Sequence, residues 1–197
     1  ERPERPIPTG LVSKREGAAF GLILLTMGVW AAFLVSGTSG WIAFTIALAA
    51  LVYDRWSKHH AVFGPLNMGF CRGMNLLLGL SIIPSQLTDH WFLSLVPVVY
   101  IAAITMISQG EVHGGRKASL YAAVFLYLLS MGGIFYTAIA RDQVVASLLF
   151  IVLWALMVFL PLKNAIRKPE GKMIGRAVKA GVLALILMNA AWASAFG

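Results

Sequence analysis

A single cysteine, Cys71, occurs in the 197 residues, which excludes an internal disulfide and any metal cluster built from several cysteines. Charge is scarce: 12% of residues are Asp, Glu, Lys or Arg, against roughly 25% in a typical soluble domain. Acids are scarcest, 8 against 16 basic residues. There is no glycine-rich phosphate loop, no Cys/His zinc pattern and no Ser-His-Asp set with workable geometry. Paired acids inside apolar runs, the mark of an ion-coupled transporter, are missing too. No methionine stands before Met27, and the opening "ERPERPIPTG" has neither the apolar core nor the small-residue cleavage site of a signal peptide. Its prolines, Pro3, Pro6 and Pro8, disfavour helix at their own and the preceding positions. The stretch reads as an extended connector, with the expectation that further chain precedes it.

What the sequence has in abundance is apolar length. Hydrophobic residues make up 59% of the chain and its mean hydropathy is +0.79, the balance of a polytopic, all-α membrane bundle. A crossing helix needs about 20 mostly apolar residues. On that measure seven spans are expected, near 16–35, 40–55, 66–83, 90–107, 118–139, 144–162 and 175–196. The second is short, and the third carries Asn67, Arg72 and Asn75.

The loops alternate in charge. Arg2, Arg5, Lys14 and Arg15 precede the first span; Arg55 and Lys58 follow the second. Arg116 and Lys117 lie between the fourth and fifth, and Lys163, Arg167, Lys168, Lys172 and Arg176 lie around the last connection. The intervening loops hold only Arg141. By the positive-inside rule the cytoplasmic loops fall near 1–15, 54–65, 108–117 and 163–175, with the C-terminus on the other side. The same rule accounts for the net charge of +8, so nucleic acid is not an expected partner.

Ionisable and amide groups within apolar helices are the first candidates for function. In "GPLNMGFCRGMNLLLG", Asn67, Cys71 and Asn75 recur every four residues and share one helical face, with Arg72 bordering it. A polar stripe with a guanidinium suits an anionic ligand; interhelical amide contacts and an arginine snorkelling to the interface are the alternative. Cys71 reads as packing. The loop "VYDRWSKHHAVFGP" gathers Tyr53, Arg55, Lys58, His59 and His60, either as an anion-binding loop or as interface anchors. The adjacent histidines point apart, which argues against a shared metal. The loop "ISQGEVHGGRKAS" combines Gly110, Gly114 and Gly115 with Arg116, Lys117, a lone carboxylate at Glu111 and a candidate acid or base at His113. One carboxylate makes a poor Mg²⁺ site unless substrate phosphates or other residues complete it. "GAAFG" and "GFCRG" have the small-xxx-small spacing of close helix packing.

These residues carry a resemblance. "ERPERPIPTGLVSKREG" resembles the segment of UbiA-superfamily intramembrane prenyltransferases that follows their first aspartate-rich motif. Seven spans then correspond to helices three to nine of a nine-helix fold, and the chain looks like a C-terminal fragment. "GPLNMGFCRGMNLLLG" with "QGEVHGG" is most similar to the divergent UbiA-like branch named EboC. The resemblance implies a protein of the bacterial inner membrane that transfers a polyprenyl group from its diphosphate to an acceptor, with Mg²⁺ held by two acidic motifs. It implies substrate contacts from Arg2, Arg5, Tyr53, Lys58 and Asn75, to which the polar stripe and the basic loop add Asn67, Arg72, Arg116 and Lys117. Glu111 then serves as metal ligand and, with His113, as a catalytic group. The second acidic motif is reduced here to Glu111, so the alternative is a non-catalytic protein that binds an isoprenoid or natural-product precursor for transport or assembly.

Overall fold

The computed structural model describes residues 6–111 and 114–197, and every regular element among them is helical. In chain order these are α1 (Lys14–Val35), α2 (Gly37–Arg55), α3 (Phe63–Leu80), α4 (Pro84–His90), α5 (Leu95–Ser108), α6 (Lys117–Ala140), α7 (Val144–Arg167), α8 (Gly171–Leu183) and α9 (Leu185–Phe196). Short 3₁₀ turns at Ser57–His59 and Trp91–Ser94 precede α3 and α5. Six stretches among the described residues are long and apolar enough to cross a membrane: α1, α2, Pro84–Ser108, α6, α7 and Gly171–Phe196. The protein is an integral membrane helical bundle.

The expected third span forms as α3, but its 18 residues include Asn67, Arg72 and Asn75 and it is the least apolar of the seven. The helices also outrun the apolar segments that announced them. α7 continues to Arg167, and the last crossing begins at Gly171 rather than 175. Helices extend into the interface, where Lys and Arg are welcome and hydropathy falls. That crossing is divided at Ala184 into α8 and α9.

The chain forms two compact units, Glu1–Leu48 with Met74–Trp91, and Ala49–Gly73 with Phe92–Gly197. In the first, α1 starts at a capping box, where the Ser13 hydroxyl accepts from the Glu16 N–H and the Glu16 carboxylate accepts from the Ser13 N–H. This satisfies two of the orphan donors at the helix start. No α1 residue is buried, and Leu22, Ile23, Leu24, Met27 and Trp30 all lie open, a surface that belongs in lipid. The buried Ser39 hydroxyl meets those of Ser36 and Ser81, each at 2.8 Å. "GAAFG" makes no close helix contact among the described residues: Gly17 faces only the Ile7 side chain, and Gly21 opens on space.

The second unit holds the main core, built by α5 through α9 around Tyr100, Tyr127 and Trp154. The Tyr100 ring lies 5.2 Å from that of Tyr127 and 5.1 Å, edge-on, from Trp154. Such pairs add about 0.5–1.5 kcal/mol each beyond the area they bury. The Tyr100 hydroxyl donates to the Gly181 carbonyl at 2.7 Å, fastening α5 to α8. "GFCRG" does pack: Gly69 lies against the Val98 carbonyl and Gly73 against the Val98 side chain and the Ser94 carbonyl, so α3 touches α5 backbone to backbone.

Candidate functional site

Three connections of the second unit meet at one end of it. The α2–α3 connection is held by the side chain of Gln109, whose Nε2 donates to the His60 carbonyl at 3.0 Å. From the other side, Gly115 N–H donates to the Pro169 carbonyl at 3.1 Å, joining the α5–α6 loop to the α7–α8 loop. Glycine makes this closeness possible. A Cβ at Gly110 would fall 2.6 Å from the Cα of Gly115, and one at Gly171 would overlap the Glu111 carbonyl. Gly114 has φ +85°, a left-handed conformation that disfavours other residues.

Glu111 stands at the junction. Its carbonyl abuts Gly171 and its carboxylate oxygen lies 3.2 Å from where a Cβ of Gly175 would be, so the side chain rests along the first turns of α8. The positive end of the α8 dipole and the nearby Lys172 and Arg176 make the potential there positive. Lys58, Arg116, Lys117 and Lys168 are exposed on the same three connections, against the carboxylates of Glu111 and Glu170. Among the described residues Lys58, Arg116 and Lys117 form no ion pair. An end built this way can hold a multiply charged anion by charge-assisted hydrogen bonds.

The other expected residues are distributed as follows. Asn67 Nδ2 donates to the Ala49 carbonyl at 3.1 Å and to the Ser57 hydroxyl at 3.2 Å, and its Oδ1 faces the Cys71 thiol at 3.8 Å. The amide thus ties α3 to the end of α2 and to the 3₁₀ turn that carries Lys58. Tyr53, in the last turn of α2, and Arg72 are half-buried. Asn75 keeps its place on the α3 stripe but is exposed and belongs to the first unit. Arg2, Arg5 and His113 lie outside the described residues.

The Mg²⁺ implied by the resemblance is only partly catered for. Among the described residues no three His, Cys, Asp or Glu side chains group to hold an ion. Glu111 alone does not make a metal centre; phosphate oxygens would have to supply most of the ligands. The charge available here comes from lysine and arginine.

Sequence reasoning missed the part played by Gln109 and by α8. The signal for α8 was present: "GKMIG" has the same small-xxx-small spacing as "GFCRG", and both of its glycines face Glu111.

Over 81 residues the chain is 36% identical to the digeranylgeranylglyceryl phosphate synthase of Methanosarcina mazei, covering 41% of this chain and 28% of that protein. The synthase of the same name from Methanococcoides burtonii is 33% identical over 78 residues, 40% of this chain and 28% of the relative. A protoheme IX farnesyltransferase of Korarchaeum cryptofilum is 35% identical over 71 residues, 34% of this chain and 22% of the relative. The aligned stretches thus span less than a third of each relative's length. No solved structure matches the chain at a significant level. The UbiA prenyltransferase family matches residues 1–178, nearly the whole of this helical membrane protein, and the chain belongs to that family.

Proposed function

We propose that the protein transfers a polyprenyl group from its diphosphate to an acceptor, at the end of the second unit where the three loops meet. The observation that carries this reading is the meeting of the three connections that bear Lys58, Arg116, Lys117 and Glu111, with the start of α8 against Glu111, on a protein of the UbiA family. The loops lie on the cytoplasmic side of the membrane by their excess of Lys and Arg. The diphosphate binds the exposed cations while the prenyl chain stays in the apolar environment of the bundle and bilayer. Heterolysis of the allylic C–O bond sends the electron pair to the diphosphate, whose growing charge Lys58, Arg116 and Lys117 stabilise. The acceptor's nucleophilic atom then bonds to the allylic cation and gives up its proton to Glu111. Asn67 positions the Lys58 turn, and Tyr53 and Arg72 add substrate contacts; the likeness to the prenyltransferases assigns substrate contacts to Asn75, Arg2 and Arg5 as well, and a catalytic role to His113. Mg²⁺, when bound, would add charge neutralisation to the leaving group.

A second reading has its own support. A single carboxylate stands where the likeness to the prenyltransferases calls for an acidic motif, as in the EboC-like branch, and this favours a protein that binds the isoprenoid without ionising it. One experiment separates the two. Membranes containing the protein are given a polyprenyl diphosphate with and without Mg²⁺, and bound ligand and released diphosphate are measured together. Catalysis predicts diphosphate release that Glu111→Gln cuts by about 10²-fold or more while binding persists, and binding that Arg116→Gln/Lys117→Gln weakens. Binding with no release, indifferent to Glu111, establishes the second reading and overturns the first.

A further inference from the structure

The outer surface of the second unit carries a groove that the loop site does not use. It runs along α7 beside α6, has a volume of about 470 Å³, and is lined by Val124, Ala155, Phe159 and Ile166 among other apolar side chains. At one end stand two cations, Lys163 and Arg167. They are four residues apart, so they lie one turn from each other on one face of α7. Both are exposed, and nothing in the transfer reaction calls on them.

Its dimensions identify an occupant. From Ala155 to Arg167 is twelve residues of α7, about 18 Å at 1.5 Å per residue. That is close to half of the ~30 Å hydrocarbon core, the depth of one leaflet. The volume is within the ~300–1,000 Å³ of ordinary small-molecule sites. Apolar walls over one leaflet's depth, ending in a cation pair where α7 leaves its apolar run, match one membrane lipid with its chain in the groove and a negative headgroup at the interface. Basic pockets on helix surfaces at this depth are suited to phosphate headgroups. We propose that the α6–α7 groove is a binding site for an anionic phospholipid, whose acyl chain lies along Ala155 and Phe159 and whose phosphate meets Lys163 and Arg167. The site is separate from the diphosphate-binding loops and does not depend on the transfer reaction.

Native mass spectrometry of the protein tests it, after reconstitution in equal amounts of phosphatidylglycerol and phosphatidylcholine. Wild type should retain phosphatidylglycerol preferentially. A preference of about 25-fold is expected if each of the two cations contributes some five-fold near a membrane surface. Lys163→Gln/Arg167→Gln should abolish the preference while leaving chain retention, because both residues are exposed and their loss does not threaten the fold. Ala155→Trp, which fills the groove, should reduce retention of both lipids. Equal retention of the two lipids by wild type, or a preference unchanged in the double variant, overturns the proposal. So does displacement of the bound lipid, mole for mole, by a polyprenyl diphosphate, which would assign the groove to substrate. Diphosphate release by the double variant is followed in parallel, so that failure of the lipid site and failure of the transfer reaction are read separately.

Discussion

Substituting Gly171 with alanine asks whether the loop junction is as tight as the structure makes it. The new Cβ would overlap the Glu111 carbonyl oxygen and lie 3.3 Å from its carbon. Both are backbone atoms, so no flexible side chain can swing away, and either the α5–α6 loop or the start of α8 must shift. Overpacking of this kind costs about 1–3 kcal/mol, and because Gly171 is the first residue of α8 the interior advantage of alanine over glycine returns little of it. The net loss is then about 1–3 kcal/mol, at least five-fold in the folded-to-unfolded ratio. Gly132 in α6 supplies the control, because a Cβ there meets nothing within 4 Å. Gly132→Ala should stabilise by about 0.5–1 kcal/mol for the same propensity reason. Thermal unfolding in detergent should therefore move in opposite directions for the two variants, down by several degrees for Gly171→Ala and up slightly for Gly132→Ala. Diphosphate binding should weaken only in the former. A Gly171→Ala protein that melts at or above the wild-type temperature and binds diphosphate normally would refute the close approach of Glu111 to α8.

Other outcomes follow from single contacts. Tyr127 is fully buried and its hydroxyl has no hydrogen-bond partner among the described residues; Tyr127→Phe should leave stability unchanged or raise it by up to about 1 kcal/mol in an unfolding titration. Tyr100→Phe, which removes the 2.7 Å bond to Gly181, should instead lose about 0.5–1.5 kcal/mol in the same assay. Asn67→Ala should cost about 0.5–1.5 kcal/mol and increase hydrogen exchange across residues 56–62, because the amide holds both Ala49 and the Ser57 turn. Gly114→Ala forces a side chain onto φ +85° and should lose about 1–2 kcal/mol, read as a lowered melting temperature.

The helices were legible in the sequence because a bilayer demands long apolar runs, and α1, α6 and α7 state them without interruption. Their ends were less legible. Lys163 to Arg167 and Gly171 to Gly175 are helical yet broken up by charged residues and glycines, and hydropathy registers lipid contact, not backbone geometry. The same gap hid half of the junction. Gly110, Gly114 and Gly115 could be read as a loop with a free backbone, but that Gly171 and Gly175 would lie against Glu111 depends on how α8 packs beside α5. The polar stripe on α3 was visible from its four-residue period, while the partners of Asn67 were not, since Ala49 offers only a backbone carbonyl. Glycine spacing alone did not separate packing from non-packing pairs: "GFCRG" meets the α5 backbone, whereas Gly21 of "GAAFG" meets open space.

Diphosphate capture by the three loops around Glu111 can be observed on the chain itself. Photolabelling with a polyprenyl diphosphate that carries its reactive group beside the diphosphate, followed by peptide mapping, tests it most directly. Label is expected within residues 56–62, 109–117 and 168–176, removed by excess inorganic diphosphate. Label concentrated elsewhere on the chain, and insensitive to diphosphate, would contradict it.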